Sequence, residues 1–156
     1  MKTLILYNTK YGITKKYAQW IQEELAGSQI FNIINFDTNV IQNYDNVVFG
    51  SNTYLDKLAG LDFLVNNWNK LQTKNVYLFS VGFFPPDSEE STKTYKSIPE
   101  YIREKIEYIK LPGIINSEEL EFFDKMIVTG INTEKMEIKK SNIEPIVEYL
   151  KSLETK

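Results

Sequence analysis

At 156 residues, with 42% hydrophobic and 25% charged content and a formal net charge of −3, the chain has the size and balance expected of one globular domain spanning 1–156. The acidic balance argues against a general nucleic-acid binder or a membrane-surface protein. The absence of both Cys and His excludes thiol nucleophiles, disulfides, Fe–S clusters, Ser-His-Asp triads and the usual zinc sites. No metal site and no catalytic side chain is therefore expected, since no side chain has an unperturbed pKa near neutrality. No stretch approaches about 18 apolar residues, and the run 3–7 is too short for a signal-peptide core, so the expectation is a cytoplasmic protein with no membrane span.

The chain opens with a buried strand at 4–7, a polar turn at 8–12, and a helix over 14–26 whose stripe is Ala18, Ile21 and Leu25. A strand is expected over 29–36 and a short helical turn near 40–44. Residues 46–50 form a continuous apolar run, which suits a strand covered on both faces. A polar loop at 51–56 leads to a helix over 58–71, with Leu61, Leu64, Val65, Trp68 and Leu71 on one face. Residues 76–81 read as another buried strand, 82–87 as a loop, and 88–96 as a polar, mobile stretch. Pro99 opens a helix to about 106. A strand over 108–115, a helix over 117–128, an irregular polar stretch at 130–140, and a last helix capped by Ser141 or Asn142 complete the chain. Strands alternating with helices predict an α/β fold: a doubly wound, five-stranded parallel sheet of order 2-1-3-4-5 with helices on both faces.

In such a sheet a ligand sits beyond the carboxyl ends of the strands, at the switch point. The loops 8–14, 51–56 and 82–87 all fall there. The first is built to hold an anion. The opening N–H groups of a helix lack internal partners and carry about half a positive charge, Gly12 can take positive φ, and the Thr9 and Thr14 hydroxyls can donate. A phosphate monoester is the natural guest. Lys10, Lys15 and Lys16 either steer that anion or are simply solvated.

The first loop resembles the phosphate loop of the flavodoxins. That pattern runs aliphatic, aliphatic or aromatic, aromatic, any, Ser/Thr, two any, small, any, Thr, three any, Ala. Ile5, Leu6, Tyr7, Thr9, Gly12, Thr14 and Ala18 fill its specified positions. Further segments resemble flavodoxin-domain proteins related to the menaquinone-dependent protoporphyrinogen oxidases. Val48-Phe-Gly-Ser-Asn-Thr-Tyr54 is similar to their second flavin loop, and Phe79-Ser-Val-Gly82 to their third. Leu111-Pro-Gly-Ile with Phe123-Asp-Lys-Met-Ile127 is similar to an insertion before their last helix. Basic residues of the oxidases' second loop are not obvious here, and the insertion is short.

The resemblance implies a flavodoxin-like fold and a bound FMN, which fits a chain without His or Cys because the cofactor carries the chemistry. It implies a cofactor site made of Thr9, Lys10, Tyr11, Gly12, Ile13 and Thr14, then Ser51, Asn52, Thr53 and Tyr54, then Ser80, Val81, Gly82, Phe83 and Phe84. Tyr54 with Phe83 or Phe84 could flank the isoalloxazine, or could merely cover core. Asp56, Asp87, Glu89 and Glu90 lie near the rim, as ordinary soluble surface or as a negative field that lowers the potential. The stretches 87–96 and 111–133 are expected near the flavin edge. The expected role is electron transfer to a redox partner protein or a small acceptor such as a quinone. The alternatives are a small FMN oxidoreductase of the protoporphyrinogen oxidase or quinone-linked type, and a flavin-free module that binds a phosphate or a protein.

Overall fold

The computed structural model describes residues 1–113 and 137–156. Five parallel strands form the sheet: β1 (Thr3–Tyr7), β2 (Gln29–Asn32), β3 (Asn46–Tyr54), β5 (Asn75–Gly82) and β6 (Ile106–Pro112), in the order β2-β1-β3-β5-β6. The two-residue β4 (Lys57–Leu58) pairs antiparallel with the end of β3, off that path. With this short arm set aside, the order is the expected 2-1-3-4-5.

Side-chain alternation along the strands divides the core in two. Ile5, Val48, Phe79, Val81 and Leu111 face α1 (Ile13–Glu24) and the last helix, α6 (Glu144–Glu154), meeting Tyr17, Ala18 and Ile21 from one and Ile146, Val147 and Leu150 from the other. Leu4, Leu6, Val47, Phe49, Val76 and Leu78 face the opposite layer. It comprises the 3-10 turn Thr38–Asn43, α2 (Leu61–Asn66), α3 (Trp68–Leu71), α4 (Glu89–Ser97) and α5 (Glu100–Arg103), with Ile41, Leu64, Trp68, Leu71 and Ile102 supplying its apolar side.

Several expected boundaries shift, each for a local reason. The second strand ends at Asn32 rather than 36, because Asn32 Oδ1 accepts from the Ile34 N–H and Asn35 turns the chain at φ 60°. The expected loop 51–56 is largely strand. β3 stays paired with β5 as far as Asn52–Val81, then with β4 through Thr53–Leu58 and Tyr54–Lys57, and Leu55, at φ 55°, and Asp56 make the turn between them. The helix expected over 58–71 begins at Leu61 and is cut at Asn67, whose side-chain amide donates to the Phe63 carbonyl.

The stretch 88–96, expected to be a mobile loop, is helix α4. Ser88 Oγ caps it by accepting from the Ser91 N–H at 3.1 Å, Glu89 and Glu90 occupy its first turn, and Lys96 its last. The helix after Pro99 stops at Arg103, and the strand expected over 108–115 runs instead as Ile106–Pro112. The first helix ends at Glu24 rather than 26. A 3-10 turn, Lys140–Ile143, leads into α6, which carries no side-chain cap. The helix expected over 117–128 lies outside the described residues.

Candidate functional site

Beyond the carboxyl ends of β1, β3, β5 and β6 the chain leaves a cleft. Its walls are Thr9, Lys10, Tyr11, Ile13 and Thr14 from the first loop, Asn52, Thr53 and Tyr54 from β3, Val81, Gly82 and Phe83 from β5, and Gly113 after β6. The order β2-β1-β3 makes the gap between β1 and β3 the switch point of the sheet, where ligands of doubly wound folds bind.

The first loop is pre-shaped. Gly12 sits at φ 86°, a left-handed conformation that a β-branched residue resists, and its N–H donates to Thr9 Oγ1 at 2.9 Å. A Cβ at Gly12 would meet no atom within 4 Å, so the demand for glycine comes from backbone conformation rather than packing. No side chain caps α1, which leaves its opening N–H groups to the cleft side. Thr14 is 1% exposed, lines the cleft and has no hydrogen-bonding partner among the described residues. Asn8 ties the first loop to the second, its Nδ2 donating to Asn52 Oδ1 at 3.0 Å, while its own Oδ1 is buried and unpaired. A buried acceptor without a donor is costly, and a ligand donor or water relieves it. Uncapped amides and a spare hydroxyl, on a loop shaped by the left-handed Gly12, are donors that suit a phosphate monoester.

The other walls are aromatic. Lys10 Nζ lies over the Tyr11 ring at 5.3 Å and the Tyr54 ring at 5.2 Å, and Tyr11 packs against Phe83 at 6.4 Å between centroids. A flat ring entering here exchanges cation–π contacts for stacking.

Most of the expected site residues therefore converge. Four stand behind the walls. Gly12 shapes the loop from within. Ser51 Oγ accepts from the Gly60 N–H at 2.8 Å and anchors the approach to α2. Ser80 Oγ shares a hydrogen with Tyr108 Oη at 2.6 Å. Phe84 turns its carbonyl toward Ser91 Oγ at 3.4 Å. None of the residues 87–96 lines the cleft; Glu89 instead pairs with Lys93 at 3.1 Å on the exposed side of α4.

Over residues 4–143 the chain matches the model of a family described as flavodoxin domain. The chain belongs to the flavodoxin domain family. Solved flavodoxins share its fold. One from the domain Archaea has a TM-score of 0.56 at 16% identity, over 97% of this chain and 99% of that one. The flavodoxin of Streptococcus pneumonia TIGR4 has a TM-score of 0.60 at 14% identity, over 98% and 99%. An uncharacterised protein of Methanocaldococcus jannaschii is 35% identical over 86 residues, 54% of this chain and 57% of that protein's length. No helix among the described residues is long and apolar enough to cross a membrane, and none of their acidic side chains cluster as a metal site.

One residue of this flavodoxin domain escaped the sequence reading. Lys110 on β6 is 8% exposed, and burial pushes its ammonium down to about 8, into the range that the absence of His had seemed to leave empty. Its Nζ donates to Thr53 Oγ1 at 3.1 Å. The signal was weak but present: a lysine between apolar neighbours in Tyr108-Ile-Lys-Leu111, on a strand that pairs with buried β5.

Proposed function

We propose that the cleft binds FMN and that the protein transfers electrons through it. The observation that carries this reading is the convergence, on one cleft at the switch point, of an uncapped helix start with the free Thr14 hydroxyl and an aromatic wall of Tyr11, Tyr54 and Phe83. The loop 9–14 would hold the phosphate. Tyr54, Tyr11 and Phe83 would flank the ring and exclude water, and Asn52 and Gly82 would offer polar contacts at its edge. When bound, FMN supplies one- and two-electron transfer, so the chain's own task is to hold, orient and shield it.

The test is FMN titration of the cofactor-free protein by fluorescence quenching. Wild type should bind, and Thr14→Val should bind roughly tenfold more weakly or worse, because a hydrogen bond to a charged group is worth about 1.5–3 kcal/mol. Gly12→Val should weaken binding as well, by forcing a β-branched residue into a left-handed φ. Equal affinity in all three proteins would remove the phosphate from this loop.

We further propose a redox protein or a small acceptor as the electron partner, with the carrier role favoured over a dedicated oxidase. Among the described residues, the cleft walls offer stacking and backbone contacts but no acid–base pair for work on an organic substrate. Mixing the reduced protein in stopped flow with a menaquinone analogue and with a one-electron protein acceptor separates the two roles. Fast, saturable oxidation by the quinone alone would assign the quinone-linked, protoporphyrinogen oxidase-like alternative.

A further inference from the structure

Lys110 is a buried cation with no carboxylate paired to it among the described residues. Its ammonium has three donors, and among the described residues its one hydrogen bond is to Thr53 Oγ1, which in turn donates to the Val81 carbonyl at 3.3 Å. Burial is the sole cause of its displaced titration, with no opposing charge among the described residues. Its position is the telling feature. A Cβ built on Gly82 would stand 2.9 Å from Lys110 Nζ and 1.9 Å from Thr53 Oγ1. Gly82 and Thr53 both wall the central cleft, so the cation stands one residue layer behind it. Lys110 also lines the groove under α4, together with Ser91, Thr92, Tyr95, Tyr108 and the exposed Glu107. Glu107 and Glu89 are exposed and Glu90 is half-buried, so solvent screens them; the buried ammonium is screened far less.

Two electrons and one proton added to a neutral isoalloxazine leave it with one net negative charge. A cation held behind the cleft wall lowers the free energy of that anion and leaves the neutral oxidised ring almost untouched. Building on the FMN reading, we propose that Lys110 is a positioning residue for charge, raising the reduction potential of a flavin in the cleft by offsetting the negative charge the ring gains on reduction. It acts through the low-dielectric wall formed by Thr53 and Gly82.

Anaerobic dithionite titration of the FMN-loaded protein against an indicator dye tests this in wild type, Lys110→Gln, Lys110→Met and Lys110→Arg. Gln keeps an N–H for Thr53 but removes the charge, Met keeps only the stem, and Arg restores the charge. The expected result is a roughly tenfold lower equilibrium constant for two-electron reduction in the Gln and Met variants, a fall of about 30 mV, with Arg close to wild type. Affinity for oxidised FMN should stay within about twofold throughout. Gln and Met variants that titrate at the wild-type potential overturn the proposal. So does an equal loss of affinity for oxidised and reduced FMN, which marks a merely structural role. A wild-type protein that binds no FMN defeats the cofactor reading itself and this inference with it, whereas bound FMN at an unchanged potential defeats this inference alone.

Discussion

Phe79→Ala should destabilise the protein by about 3–5 kcal/mol, the largest loss expected from any single truncation considered for this fold. Phe79 is fully buried on β5, packs edge-on to Tyr17 of α1 at 6.4 Å, and joins the sheet to the α1 layer. Its ring covers Gly50 of β3 so closely that a Cβ there would come within 2.2 Å of Cζ. Truncation therefore removes both the inter-layer contact and the lid over a backbone that has no side chain of its own to fill the gap. Urea unfolding should show a lower midpoint with an unchanged slope. Gly50→Ala alone should also destabilise, by driving a methyl into the ring. In the Phe79→Ala background it should cost little or even help. A double-mutant cycle with no coupling between the two positions would show that the ring does not sit over Gly50 as described.

The same pair bears on function, because Gly50 pairs with Tyr7 across β1 and its carbonyl accepts from the Asn8 N–H at 3.0 Å. Asn8 is the first residue of the loop 8–14. The chain thus connects the centre of one core face to the loop through a single backbone hydrogen bond. A second tie lies farther along α1. Tyr17 Oη donates to the Pro112 carbonyl at 2.7 Å and accepts from Asn142 Nδ2 at 3.1 Å, pinning the end of β6 against the helix whose start opens on the cleft. Burial raises the Tyr17 phenol to about 12, so this tie persists through the neutral range.

What could be read in the sequence follows from how local each signal is. The first strand, its loop and α1 were legible because Leu4–Tyr7, Gly12 and the Ala18–Ile21 stripe each carry a short-range physical reason for their conformation. The five parallel strands were legible from apolar runs and alternation. The second loop was misjudged because Ser51, Asn52 and Thr53 look like loop residues. Yet they continue a strand, for β5 and β4 supply backbone partners that no local window reveals. Helix α4 was missed because its buried positions, Ser91 and Thr94, are polar by type and leave no apolar stripe to read, although the Ser88 cap and the Glu89-Glu90 start were in plain view. Lys110 was illegible as a functional residue for a related reason. A lysine in a strand ordinarily reaches solvent, whereas among the described residues α4 and Thr53 stand against this one, a tertiary placement no local window reveals.

Lys110→Met should therefore stabilise the cofactor-free protein at pH 7 while lowering the flavin potential. The sign follows from proton linkage. In the unfolded chain Lys110 titrates near its ordinary value of 10.5; in the folded protein it titrates near 8. Below pH 8 both states are protonated, and the folded state bears the whole cost of a desolvated ammonium, about 3 kcal/mol by order of magnitude. Between pH 8 and 10.5 the unfolded state holds more protons, so wild-type stability should rise with pH across that window. Tyr17 acts in the opposite sense at higher pH: its folded value of about 12 lies above its ordinary 10.0, so its contribution falls as pH climbs past 10. The wild type should thus gain stability from pH 8 toward 10 and then lose it. The Met variant should start higher at pH 7 and lack the rise. Urea unfolding at pH 7, 8, 9 and 10 checks both features, and parallel curves for the two proteins would show that the ammonium is not desolvated in the folded state. A residue that weakens the fold at neutral pH, one layer behind the cleft, is where local consistency gives way to the needs of a site.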